Sequence, residues 1–146
     1  MSKSNTFENE LLLLLFNNTD IANIGDAAGL QNSATAGSLY VALHTADPGE
    51  AGNQSTSEAA YTGYGRVAVA RSGAGWTVTN NNVTNAVDIV FGTSSTGPEI
   101  LTHWSVGKES SGSTTILYKG SLGSPLEVNN QIAPRIIAGA LNINED

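Results

Sequence analysis

Alternation is clearest at residues 38–44, where Leu39, Val41 and Leu43 fall on one side of an extended chain and Tyr40, Ala42 and His44 on the other. A period of two is that of a β-strand, so a strand is expected there. It runs into Ala46-Asp47-Pro48-Gly49, residues in the order that a tight turn uses. No periodicity organises residues 50–63, which read as a long exposed loop of the kind that is functional or ordered by contacts. Short strand-like runs then recur at 65–71, 76–79, 87–91, 101–106, 114–119, 126–128 and 136–143, each bounded by Gly, Ser, Asn or Pro. Such spacing predicts a mainly β chain, an antiparallel β-sandwich or barrel-like domain. Parallel βαβ units are not supported, because the crossover helices they need are missing. No internal repeat and no heptad pattern is visible.

Helical signals are confined to the start of the chain. Asn5 can cap a helix, Glu8 stands three residues on as in a capping box, and Glu8 with Glu10 suits the positive end of the helix dipole. The helix is expected to reach Phe16 and to stop at Asn17 and Asn18, since Asn tolerates the left-handed conformation that closes a helix. A second short helix is expected over residues 20–28, with Ile21, Ile24 and Ala28 on one face and Gly29 as its stop. Together these give an N-terminal helical arm over residues 1–30 and a β-rich part over 38–146, within one structural domain of ordinary size.

Five consecutive leucines followed by Phe16 cannot share one helix face, so at least one is expected to stay exposed on an isolated monomer. The helix then lies either against the chain's own sheet or on a neighbouring subunit. On the second reading Leu11, Leu12, Leu14, Leu15 and Phe16 are candidates for a subunit interface, and Tyr61 and Tyr64 join them. Tyr61, Tyr64 and Trp76 also suggest an aromatic platform for sugar or protein, against the plainer reading as core or sheet-face aromatics.

Charge narrows the function classes. With a net charge of −7 and six basic residues, Lys3, Arg66, Arg71, Lys108, Lys119 and Arg135, scattered over the chain, no basic stripe exists to neutralise phosphates, and nucleic acid is not an expected partner. The absence of Cys removes disulfides, thiolate nucleophiles and Cys-ligated zinc. The apolar run 11–16 is too short to span a bilayer and follows Glu8 and Glu10 instead of a basic leader, so neither signal peptide nor membrane anchor is expected.

Candidate chemistry is sparse. His44, Asp47 and Glu50 can be drawn as a metal cluster only if the turn at Pro48 folds both carboxylates back onto the imidazole, and a strand-end His beside a turn-forming Asp is the simpler reading. His103, next to Trp104 on a strand, is expected half-buried and hydrogen-bonded. Gly120-Ser121-Leu122-Gly123-Ser124 lacks the spacing of a nucleophile elbow, and Gly107-Lys108 lacks the flanking residues of a phosphate loop. Carboxylates such as Asp88 and Glu99 occur in any acidic domain. No catalytic residue, cofactor or metal is therefore expected, and the three Asn-x-Ser/Thr sequons at Asn17, Asn53 and Asn82 read as turn chemistry.

The segment from Leu39-Tyr40-Val41-Ala42-Leu43-His44 to Asp47-Pro48-Gly49 resembles a family of small tailed-bacteriophage structural proteins, often labelled tail fibre. The resemblance continues through Tyr64-Gly65-Arg66-Val67-Ala68-Val69, Ile89-Val90-Phe91, Thr102-His103-Trp104-Ser105-Val106-Gly107 and Ala138-Gly139-Ala140-Leu141, and includes the opening helix with Glu8-Asn9 before leucines. It implies a non-enzymatic virion component assembled in the bacterial cytoplasm. Long fibres carry trimeric repeats or a coiled coil, and neither is visible here. The leading expectation is therefore a capsid decoration, or cement, protein that binds the major capsid protein, and the alternative is a tail or fibre-associated subunit that binds tail subunits. A host-glycan-binding module is a third class. In the first two roles the chain is expected to be a homo-oligomer, for which a trimer fits a threefold position.

Overall fold

The computed structural model describes residues 1–146. One helix, α1 (Asn5–Asn17), is followed by nine strands: β1 (Ser38–His44), β2 (Val67–Ala70), β3 (Trp76–Thr79), β4 (Asn82–Asn85), β5 (Ile89–Val90), β6 (Glu99–Gly107), β7 (Ile116–Val128), β8 (Arg135–Ile136) and β9 (Asn142–Asn144). The class is mainly β with an N-terminal helix, as expected, and every resolved strand register is antiparallel. The chain divides into two compact units, one built from residues 1–38, 69–88 and 137–146, the other from 39–68 and 89–136. Residues 1–30 thus share a unit with later strands, while the stretch 38–146 contributes to both.

The first unit packs α1 on the three-stranded sheet β3-β4-β9. Ser4, not Asn5, is the N-cap: its extended backbone and a hydroxyl that accepts from the Phe7 amide at 3.4 Å start the helix, so Asn5 is already helical. Asn18 closes it in the left-handed conformation with φ 55°. Leu12 and Phe16, four residues apart, point inward, and the Phe16 ring meets Trp76 edge to face with centroids 4.9 Å apart. Sheet pairing puts Trp76 opposite Asn85, Val78 opposite Val83 and Val83 opposite Ile143, which gathers the inward side chains of all three strands.

The expected second helix over 20–28 does not form. Instead Ile21 and Leu30 exchange both backbone hydrogen bonds, at 2.9 and 2.8 Å, and close a loop. Asn23 and Gly25 adopt positive φ, and the Asp26 carboxylate accepts from the amides of Ala28 and Gly29. Side chains that bond nearby amides compete with a helix for the same donors, and here they win.

The second unit holds most of the sheet ordered β2-β1-β6-β7, together with the β5-β8 pair. Its core gathers Val41, Leu43, Leu101 and Val106, all at most 1% exposed, with Ile89 and Phe91. The runs expected at 114–119 and 126–128 are one strand, β7, whose register against β6 shifts between the pairs Leu101–Leu126 and His103–Ser121. Four residues of β7 thus face a single residue of β6, a bulge that the Gly, Ser and Pro of this stretch accommodate.

Two more expectations change. The run 136–143 is split into β8 and β9, because the buried Asn85 side chain accepts from the Leu141 amide and donates to the Ile137 carbonyl, holding a turn in which Gly139 has φ 78°. Strand β4 was not foreseen: its Asn ends hide a four-residue strand that forms a hairpin with β3 around Asn80, at φ 56°.

Candidate functional site

The five leucines fall into two groups. Leu12 and Phe16 are fully buried, whereas Leu11, Leu13, Leu14 and Leu15 are half-buried. None reaches full exposure, contrary to the expectation that at least one would, because the helix is bedded on the sheet and tied at its end. That tie is Arg71, whose Nε donates to the Leu15 carbonyl at 2.7 Å while Nη1 reaches Ser33 Oγ at 3.0 Å. Leu11, Leu14 and Leu15, at i, i+3 and i+4, retain the accessible apolar area of the candidate interface.

Tyr61 and Tyr64 meet edge to face at 5.4 Å, and Tyr64 stacks on Phe91 at 6.2 Å with ring planes 9° apart. Tyr61 is 5% exposed and Trp76 not at all, so neither presents a ring face to a ligand, and the platform reading is replaced by core aromatics. The Tyr64 hydroxyl accepts from the Leu43 amide and donates to Glu58, each at 3.1 Å. Burial pushes its phenol well above the ordinary value. Burial, aided by the charge of Glu99, likewise pushes Tyr61 up to about 12.

The most developed polar arrangement was not anticipated from the sequence. Arg66, with a side chain 2% exposed, grips Glu58 in two-pronged fashion at 2.7 and 2.8 Å. Its other donors meet Gln54 Oε1 at 3.3 Å and the backbone carbonyls of Glu109 at 3.2 Å and Gly112 at 2.7 Å. Hydrogen bonding to Glu58 raises its already high pKa. Every N–H of the guanidinium is committed within the chain, so Arg66 acts as a clamp between the loop after β1 and the hairpin joining β6 to β7.

Beside the clamp lies His44, wholly buried. Its Nδ1 sits 2.9 Å from the Thr56 carbonyl and its Nε2 2.7 Å from Ser105 Oγ. A His Nε2 against a serine hydroxyl is the contact a nucleophilic site uses, but neither residue has any exposed surface for a substrate to reach. Gln54, also fully buried, completes the network by donating to the Tyr40 carbonyl at 3.0 Å and accepting from Thr114 Oγ1 at 3.0 Å. The loop 50–63, read as exposed, is therefore anchored through its interior by Gln54 and Glu58.

The drawn metal cluster does not assemble. His44 faces inward, while Asp47 and Glu50 both pair with Lys119 at 3.1 Å, and no group of three His, Asp or Glu side chains converges anywhere. His103 is half-buried and bonded to Thr102 Oγ1 at 2.8 Å, as expected. No helix is long and apolar enough to cross a membrane. In comparison with known proteins, a family model described as Podophage GP4 fiber I protein gp80 matches residues 2–144. None of the curated proteins matches the chain.

Proposed function

This chain belongs to the podophage GP4 fiber I protein gp80 family and is a bacteriophage virion structural protein, and on that premise we propose that it serves as a non-catalytic fibre-associated subunit. The observation that carries this reading is the extent of the family match, which covers residues 2–144. The interior supports a scaffold role: the strongest polar groups, Arg66, Glu58 and His44, are spent on internal contacts. Partner subunits would meet the half-buried helix flank formed by Leu11, Leu14 and Leu15, where added burial is worth about 25 cal/mol per Å² of apolar surface. We propose a homo-oligomer as the working form, with symmetry-related copies adding modest contacts.

A head location, the capsid decoration role, makes a different numerical demand on the particle. Quantitative mass spectrometry of purified phage against the major capsid protein tests both. A small set of copies per particle is expected for a fibre subunit. Copies comparable with the capsid protein would establish decoration instead, and absence from the particle would overturn both readings.

A further inference from the structure

We propose that His44 is a proton-sensitive latch: uptake of a proton by its buried imidazole releases the loop segment 54–58 from the ends of β1 and β6 while the rest of the fold persists. The latch joins three places in the chain. His44 stands at the end of β1, its Nδ1 meets the Thr56 carbonyl at 2.9 Å, and its Nε2 meets Ser105 on β6 at 2.7 Å. A carbonyl only accepts, so Nδ1 carries the proton of the neutral ring and Nε2 accepts from the Ser105 hydroxyl. Ser105 Oγ in turn accepts from Gln54 Nε2 at 3.3 Å.

Every polar atom is thus matched to the neutral imidazole. A second proton, on Nε2, would make Ser105 Oγ face two donors and force its own hydroxyl proton away from the ring. The resulting cation would also lack a free counter-charge. Glu58, from the loop, already holds Arg66 through both oxygens and the Tyr64 hydroxyl through one. Arg66 is itself a cation, and the cross-strand neighbour on β6 is another imidazole, His103. Burial, opposed by the Thr56 carbonyl and Glu58 and reinforced by Arg66 and His103, accordingly holds the His44 pKa below its ordinary 6.5.

Opening the segment returns the ring to water and to its ordinary pKa. Below pH 6.5 the open form then binds the proton better, and its population rises by up to tenfold per pH unit until the folded-state value is reached. Release breaks the bond from the Thr45 amide to the Ser57 carbonyl at 2.8 Å, while the bond from the Ala59 amide to the Leu43 carbonyl at 2.9 Å, just past the segment, confines it to the loop.

Hydrogen exchange of the full chain across pH 7 to 4.5, corrected for intrinsic rates, tests the latch. Protection of amides 54–58 should fall by up to tenfold per pH unit below 6.5 in the wild type and in His103→Gln, stay level in His44→Gln, and leave β3 and β4 unaffected. A level profile in the wild type, or the same slope in His44→Gln, would overturn the proposal. If His44→Gln does not fold, wild-type NMR decides: the His44 ring and the 54–58 amides should titrate with one apparent pKa. A ring that titrates while those amides stay still, or one that never titrates before global unfolding, sinks it.

Discussion

The guanidinium of Arg71 ends a helix that lies 56 positions earlier in the sequence, its Nε donating to the Leu15 carbonyl at 2.7 Å. The last turn of α1 contains no basic residue of its own, and Arg71 supplies both the donors and the positive charge that the carbonyl end of a helix attracts. Substituting Arg71→Ala should cost about 1.5–3 kcal/mol, the range for losing hydrogen bonds to a charged group. Arg71→Lys should recover part of that, since an ammonium keeps the charge without the fork. Urea unfolding followed at 222 nm reads both.

Breaking the clamp should cost more. Arg66→Ala leaves the Glu58 carboxylate and Gln54 without their shared donor, and removing one partner of a buried pair costs about 3–5 kcal/mol. Glu58→Gln should be milder, because the amide oxygen still accepts one N–H. Equal costs for the two substitutions in denaturant unfolding would mean that the ion pair, not the carbonyl contacts, carries the energy.

Fold and assembly separate within the leucine run. Leu12→Ser empties a fully buried site and should destabilise the isolated chain by at least the ~2–5 kcal/mol of a Leu→Ala change. Leu11→Ser with Leu14→Ser, at half-buried positions, should leave the unfolding midpoint nearly unchanged yet lower incorporation into particles. Normal incorporation of the double variant would remove the helix flank from the interface.

Alkaline pH should weaken the fold through its tyrosines. The folded-state pKa of Tyr61 is raised to about 12 from an ordinary 10.0, so its stabilisation is complete below pH 10 and is lost as pH climbs toward 12. Tyr64 shifts in the same direction and adds to the loss. The Tyr61 hydroxyl is buried without a partner, and deleting it in Tyr61→Phe should raise stability at pH 7 by about 1 kcal/mol while flattening the alkaline decline. Thermal melts across pH 8 to 12 check the sign.

Strands β1 and β3 were legible at both ends because alternation puts Leu39, Val41 and Leu43 inward on β1 and Trp76 inward on β3, although Ala42 and His44 on the other side of β1 are buried as well. The loop at 20–28 was misread because Ile21, Ile24 and Ala28 show helical spacing, while the decisive competitor, the Asp26 carboxylate, acts over only two or three residues. Strand β4 escaped because Asn82, Asn142 and Asn144 look like turn residues. Their amides instead bond across the β4–β9 pair, with Asn82 Nδ2 within 2.8 Å of both Asn142 and Asn144. The clamp was least accessible of all. Nothing local tells Arg66 that its partners include Glu58 eight residues back and the Gly112 carbonyl 46 residues on.

The two units are threaded through one another along the chain, which passes between them after Ser38, Ala68, Asp88 and Ile136. Protein synthesis delivers these stretches in order. The second unit waits on its far strands β6 to β8, and the first is complete only when residues 137–146, with strand β9, have left the ribosome. A nascent chain stopped short would therefore hold α1 without the strand that finishes its sheet, and would expose Val83 at a raw sheet edge. The order of threading makes completion of the first unit wait on residues 137–146, so a copy ended before them reaches the assembly site lacking a sheet strand, in a form that proteases can recognise.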